Sequence, residues 1–290
     1  MDSRVVRRPA VAGAFYAATE NKLRGQIEWC FRHPIGPGEV PAVGASSTRE
    51  IVGLISPHAG YAYSGPIAAH CFSALAADGK PDVVVMIGPN HRGMGADVAV
   101  GHAAAWQTPL GETALDIETA SAIASATRFT QLDEIAHAME HSLEVQLPFL
   151  QFLFGTGFKI VPIVVAAQEP FVSVELGRSI ASVLAGANAV VIASTDLSHY
   201  ELQHVANRKD RIAIERMVQM DTENLLEVIW RHGISMCGPG PVVAAITACK
   251  LMGANHARLL RYATSGDVSG DFGHVVGYAS VKVERLSSPL

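Results

Sequence analysis

The sequence predicts an α/β fold, a three-layer sandwich around a central mixed, mostly parallel sheet, and three observations carry that prediction. Short apolar, β-branched runs at 51–56, 83–87 and 189–193 each stop abruptly at a polar loop, as buried strands do in a sheet covered on both faces. Stretches of helical periodicity separate them, and such alternation builds parallel sheets. Two further strand patterns, 258–263 and 275–283, close the chain with only a Gly-rich link between them, which makes the sheet mixed. At 290 residues the length allows about two domains. No independent core precedes the first strand, so residues 1–290 read as one domain.

Taken in order, 5–16 reads as an extended lead-in whose Phe15 and Tyr16 pack, and 20–31 as an amphipathic helix with Leu23, Ile27 and Phe31 at helical spacing. Residues 33–50, rich in Pro, Gly and Ser, read as a loop. The first strand at 51–56 is followed by a helix at 66–77, a strand at 82–87, a short strand at 97–103 and a turn at 106–112 anchored by Trp106. A helix is expected at 116–126. Residues 133–154 read as helical, with His137, Glu140, His141 and Glu144 on one face and Leu143, Leu147 and Leu150 on the core face. A strand at 158–165 and a helix at 171–184 lead to the third apolar run. Beyond it come a long helical region with Asp210, Arg211, Glu215 and Arg216 on its wet side, a helix at 221–231, a rigid turn at 236–241 and a helix at 242–252. Residues 265–273 read as a turn that opens no helix.

Composition narrows the function. Hydrophobic residues make up 49% of the chain, yet no run approaches the roughly 18 apolar residues of a membrane span. A net charge of -5 and the lack of a basic stripe argue against nucleic acid. Arg7-Arg8 could be mistaken for a twin-arginine signal, but the apolar run behind it is short and broken by Gly13 and Tyr16. Cys30, Cys71, Cys237 and Cys249 form no Cys-x-x-Cys pair, which points to a reducing cytoplasm. Phosphate-binding Gly-rich loops and the Gly-x-Ser-x-Gly elbow are absent.

The chemistry lies at the strand ends, where open α/β sheets bind their ligands. His58 follows the first apolar run, His91 the second, and Asp196 and His199 the third. Imidazoles delivered from separate strands suit a metal with open coordination positions. Cys237 is the third ligand expected, because it precedes a helix start that favours a thiolate; the alternative is a small buried hydrophobe. Such a donor set fits iron, zinc or copper better than magnesium or calcium. Asp196 and His199 read as an acid and base pair, or Asp196 as a helix cap. His141 and Glu144 are expected to hydrogen-bond a ligand or the substrate. His33, His102, His232 and His256 have no partner the sequence reveals, and His70 reads as structural.

Pro57-His-Ala-Gly-Tyr61, Gly88-Pro-Asn-His91, Thr108-Pro-Leu110, Glu140-His-Ser-Leu-Glu144, Ser194-Thr-Asp-Leu-Ser-His199 and Cys237-Gly238 together resemble the Memo family. Its prokaryotic members are known as the B protein of the AmmeMemoRadiSam system. The resemblance implies a fold similar to class III extradiol dioxygenases, which are non-haem Fe(II) enzymes. It implies iron ligation by His58 and His91, with Cys237 where those enzymes carry a carboxylate, and an acid/base role for His199. Fe(II) is therefore the first metal expected, with copper or zinc as alternatives. The chain departs from eukaryotic members at Arg92 and Pro239-Gly240, where they carry His and Arg-His. Three functions follow: a metal-dependent oxidoreductase, a non-catalytic module binding a peptide or protein in the former cleft, or a zinc hydrolase. The prokaryotic name implies an AMMECR-type protein and a radical SAM protein as partners.

Overall fold

The computed structural model describes residues 5–45 and 49–286. β1 (Val6–Arg7) begins the lead-in, and α1 (Glu20–Arg32) buries Leu23, Ile27 and Phe31 at the spacing noted above. β2 (Ile51–Ser56) is buried along its whole length. α2 (Tyr61–Asp78) starts ahead of Pro66, earlier than expected, because Ser64 Oγ bonds back to the Ala59 carbonyl at 2.8 Å and closes the turn before the proline. β3 (Val83–Pro89) and β4 (Val98–Val100) follow. The expected turn at 106–112 is a hairpin of β5 (Ala105–Thr108) and β6 (Gly111–Ala114). α3 (Ile117–Ala126) is capped by the Asp116 side chain, and β7 (Gln131–Leu132) is short.

Residues 133–143 are not helical, a correction with a clear cause. Acidic side chains bond backbone amides of this segment and of the chain packed beside it, and displace the helical ladder. Asp133 accepts from Ile135 and Ala96 N–H, Glu134 from His102 and Ala103, and Glu140 from His141 and Ser142. Helix resumes as one 3₁₀ turn at Glu144–Gln146 and α4 (Leu147–Phe154), so His137, Glu140, His141 and Glu144 share no helical face.

β8 (Lys159–Val165), α5 (Pro170–Val183) and β9 (Ala189–Ser194) are as expected. β10 (His199–Glu201) precedes α6 (Gln203–Val218), α7 (Thr222–Arg231) and α8 (Pro239–Leu251). On α6, Asp210 is fully buried, not wet, because its carboxylate accepts from Ser198 N–H and the Tyr262 hydroxyl. β11 (His256–Thr264) runs into α9 (Ser265–Ser269), a short helix where a turn was expected. Thr264 and Asp267 form its capping box. β12 (Val275–Glu284) ends the fold.

The main sheet has a parallel centre, β2-β9-β3-β8. Its flanks are more antiparallel than expected: β12 opposes β2, β10 and β11 oppose β12, and β4 opposes β8. Alternate residues of the centre serve two cores. Val84, Met86, Val190 and Ile192 pack toward α1, α2 and α4, whereas Val85, Ile87, Val191 and Ala193 pack toward α3, α5 and α8. Among the described residues no helix is long and apolar enough to cross a membrane.

A second, three-stranded sheet, β1-β5-β6, is tied on by a buried ion pair. Glu144 accepts from Arg7 Nη1, from the Ala10 and Val11 amides and from the Tyr16 hydroxyl, while the Arg7 guanidinium sits 4.3 Å from the Trp106 ring centroid. Removing one partner of such a pair strands the other charge. Glu144→Ala is expected to cost about 3–5 kcal/mol of stability in urea denaturation, and a loss below about 1 kcal/mol, the size of a surface pair, would contradict this role.

Candidate metal centre

His58 leaves the end of β2 with its backbone N–H bonded to Asp196 Oδ1 at 2.8 Å. Its ring Nδ1 lies 2.9 Å from Ser194 Oγ. That hydroxyl gives its only proton to the Ser142 carbonyl at 2.7 Å and receives Gln146 Nε2 at 2.8 Å, so toward His58 it can only accept. Nδ1 therefore carries the ring proton, and Nε2 presents a lone pair 3.3 Å from Cys237 Sγ. Burial, reinforced by the neighbouring imidazoles of His91 and His141, lowers the His58 pKa well below its ordinary value. The ring stays neutral.

His91 is oriented by a carboxylate. Its Nδ1 lies 2.9 Å from Glu140 Oε1, and its backbone N–H donates to Oε2 at 2.6 Å. A carboxylate only accepts, so Nδ1 holds the proton and Nε2 is left for a ligand, an arrangement common behind metal-bound histidines. Burial alone would raise the Glu140 pKa, but the His91 bond and charge, with the Ser142 N–H, pull it down to about 2.

Cys237 sits just before α8, and its sulfur accepts the Asp196 N–H at 3.2 Å. The expected thiolate at the helix start is outweighed: burial, then the Asp196 carboxylate, push the thiol up to about 12. A thiol in that state must lose its proton before it can serve as a metal ligand. The ligand atoms of His58, His91 and Cys237 lie within 4.8 Å of one another. Two imidazoles whose Nδ1 atoms are engaged elsewhere and one sulfur fit a borderline or soft cation such as iron, copper or zinc.

Around this trio the expected residues divide. His141 is beside it, with its ring 4.6 Å from that of His91 and 5.4 Å from that of His58, and burial lowers its pKa to about 4. Glu144 is directed elsewhere, to the N-terminal segment described above. Asp196 acts on His58, not as a helix cap: Oδ2 lies 4.0 Å from His58 Nε2, and burial raises its pKa, partly offset by the His58 N–H and the charge of His199. His199 donates Nδ1–H to the Ser235 carbonyl at 2.8 Å, which leaves Nε2 as its proton-accepting atom. His102 and His256 do have partners, Glu134 and Glu284.

Sequence reasoning missed the supports. Glu140 was legible as the acid preceding His141, and Ser194 as the polar residue that ends its strand. Gln146 and Ser235 carry no signal, since their bonds depend on distant segments.

Residues 7–282 match the family described as Memo-like protein. The chain is 48% identical over 281 residues to a MEMO1 family protein of Methanopyrus kandleri, covering 96% of this chain and 99% of that one. The chain belongs to the Memo family. Other Memo-family relatives are those of Ignicoccus hospitalis, 50% identical over 280 residues (96% and 98% covered), and Methanothermobacter thermautotrophicus, 49% over 277 residues (95% and 99%). A crystal structure of an uncharacterized Escherichia coli K12 protein is similar with a TM-score of 0.51 at 13% identity, covering 80% of this Memo-family chain and 99% of that one. That likeness extends to the fold.

The Glu140 shift has a sign that can be measured. Folding lowers its pKa, so the stabilisation is full above the ordinary glutamate value of about 4.3 and is lost as the pH falls toward about 2. In acid titrations followed by circular dichroism, the difference in stability between the natural chain and Glu140→Gln is expected to shrink across that window. A difference independent of pH would contradict the assignment.

Proposed function

We propose that this chain is a metal-binding protein of the Memo family whose centre, His58, His91 and Cys237, serves a metal-dependent oxidoreductase reaction. The observation that carries this reading is the pair of fixed tautomers: Ser194 and Glu140 hold the Nδ1 protons of His58 and His91, so both Nε2 lone pairs are free beside the Cys237 sulfur. Fe(II) is the metal favoured, with copper and zinc as alternatives. A bound redox metal would supply Lewis acidity and electron exchange. The chain supplies the rest: His199 takes or returns a proton at Nε2, Asp196 holds the His58 backbone, and His141 walls one side. Four free cysteines suit a reducing compartment such as the cytoplasm.

The test is elemental analysis of protein purified anaerobically without an affinity tag. Near-stoichiometric iron or copper is expected in the natural chain and its loss in His58→Ala and Cys237→Ala, while Glu140→Gln weakens metal affinity by about 10- to 100-fold. His199→Ala should keep the metal and lose turnover. A natural chain that neither contains iron, copper or zinc nor takes them up on titration would overturn the reading and favour a partner-binding module.

A further inference from the structure

A cavity of about 310 Å³ opens beside His199, lined among others by Tyr63, Tyr200, Tyr278, Asp271 and His274. Its position follows from strand pairing. His199 on β10 stands opposite Val276 on β12, so the cavity wall made by Tyr200, Val276 and Tyr278 adjoins the proposed proton-transfer residue. Tyr278 lies deep in this wall, buried, with Asp196, Tyr63 and Tyr200 as neighbours.

Two features limit what the cavity accepts. Among the described residues no lysine or arginine lines it, and it carries the carboxylate of Asp271, so the His274 imidazole is the single basic group an anion would meet there. Aromatic rings beside a carboxylate attract cations through their negative faces. Tyr200 adds an independent observation. It is one of two non-glycine residues with positive φ among the described residues, at +58°, and its side chain stands 75% exposed at the cavity. Asparagine or glycine would hold that backbone at lower cost, and strained residues of this kind concentrate at ligand sites.

We propose that this cavity binds an alkylammonium group, with Tyr63, Tyr200 and Tyr278 around the cation and Asp271 as its counter-charge. The site is separate from the metal ligands and goes beyond the oxidoreductase reading.

The experiment titrates the full chain with tetramethylammonium chloride at constant ionic strength, followed by NMR of the tyrosine rings, beside the neutral isostere 3,3-dimethyl-1-butanol. Saturable binding of the cation is expected, with the alcohol weaker, and with Tyr200→Ala and Asp271→Asn each reducing affinity by about tenfold. Tyr200→Asn suits the left-handed backbone, so it should keep the thermal stability of the natural chain and still lose binding. Cys237→Ala should bind tetramethylammonium normally, which separates this result from the fate of the metal reading. Equal affinity for the alcohol, a linear response without saturation, or full binding by Tyr200→Asn would overturn the proposal.

Discussion

β9 lies between β2 and β3 in parallel register, and the candidate centre depends on that pairing. Ser56 stands opposite Ser194, and Ile87 opposite Ala193, so the three strands stop at one level and release their loops over the same edge. The loop after β2 delivers His58, the loop after β3 delivers His91, and the loop after β9 delivers Asp196 and leads to His199 at the start of β10. A one-residue slip would turn every side chain of a strand to the opposite face, and the two cores on either side of the sheet forbid it.

A second tier converts proximity into chemistry. Ser194 ends β9 and bonds His58, the Ser142 carbonyl and Gln146 together. Glu140, in the irregular segment before α4, grips His91 at both its backbone and its ring. The same segment leads to Glu144, which fastens the N-terminal residues across the outside of the site. Phe15, carried by those residues, lies 4.6 Å from the His141 ring, centroid to centroid. Fold stability and site geometry are thus coupled through seven consecutive residues, 140–146.

The strand ends were legible because apolar β-branched runs that stop at glycine, proline or serine have few other readings. His58 and His91 followed from them, and Cys237 from its place before a helix start. The segment 133–143 was misread because His137, Glu140 and His141 within it stand at helical spacing with Glu144 just beyond it, yet Asp133, Glu134 and Glu140 direct their carboxylates at backbone amides. Asp210 was placed on a wet face by its charged neighbours, whereas its partners Ser198 and Tyr262 come from the loop before β10 and from β11 and leave no local trace. The short helix after β11 was readable in principle, since Thr264-x-x-Asp267 is a capping pattern. Burial, not helix position, sets the Cys237 thiol, and burial of a residue in a loop is a tertiary property.

The most direct test of the account is X-ray absorption spectroscopy of the chain loaded with one equivalent of Zn(II). Two imidazoles and one thiolate predict a single sulfur scatterer at about 2.3 Å and nitrogen scatterers at about 2.0–2.1 Å. A first shell of nitrogen and oxygen alone would contradict the place given to Cys237.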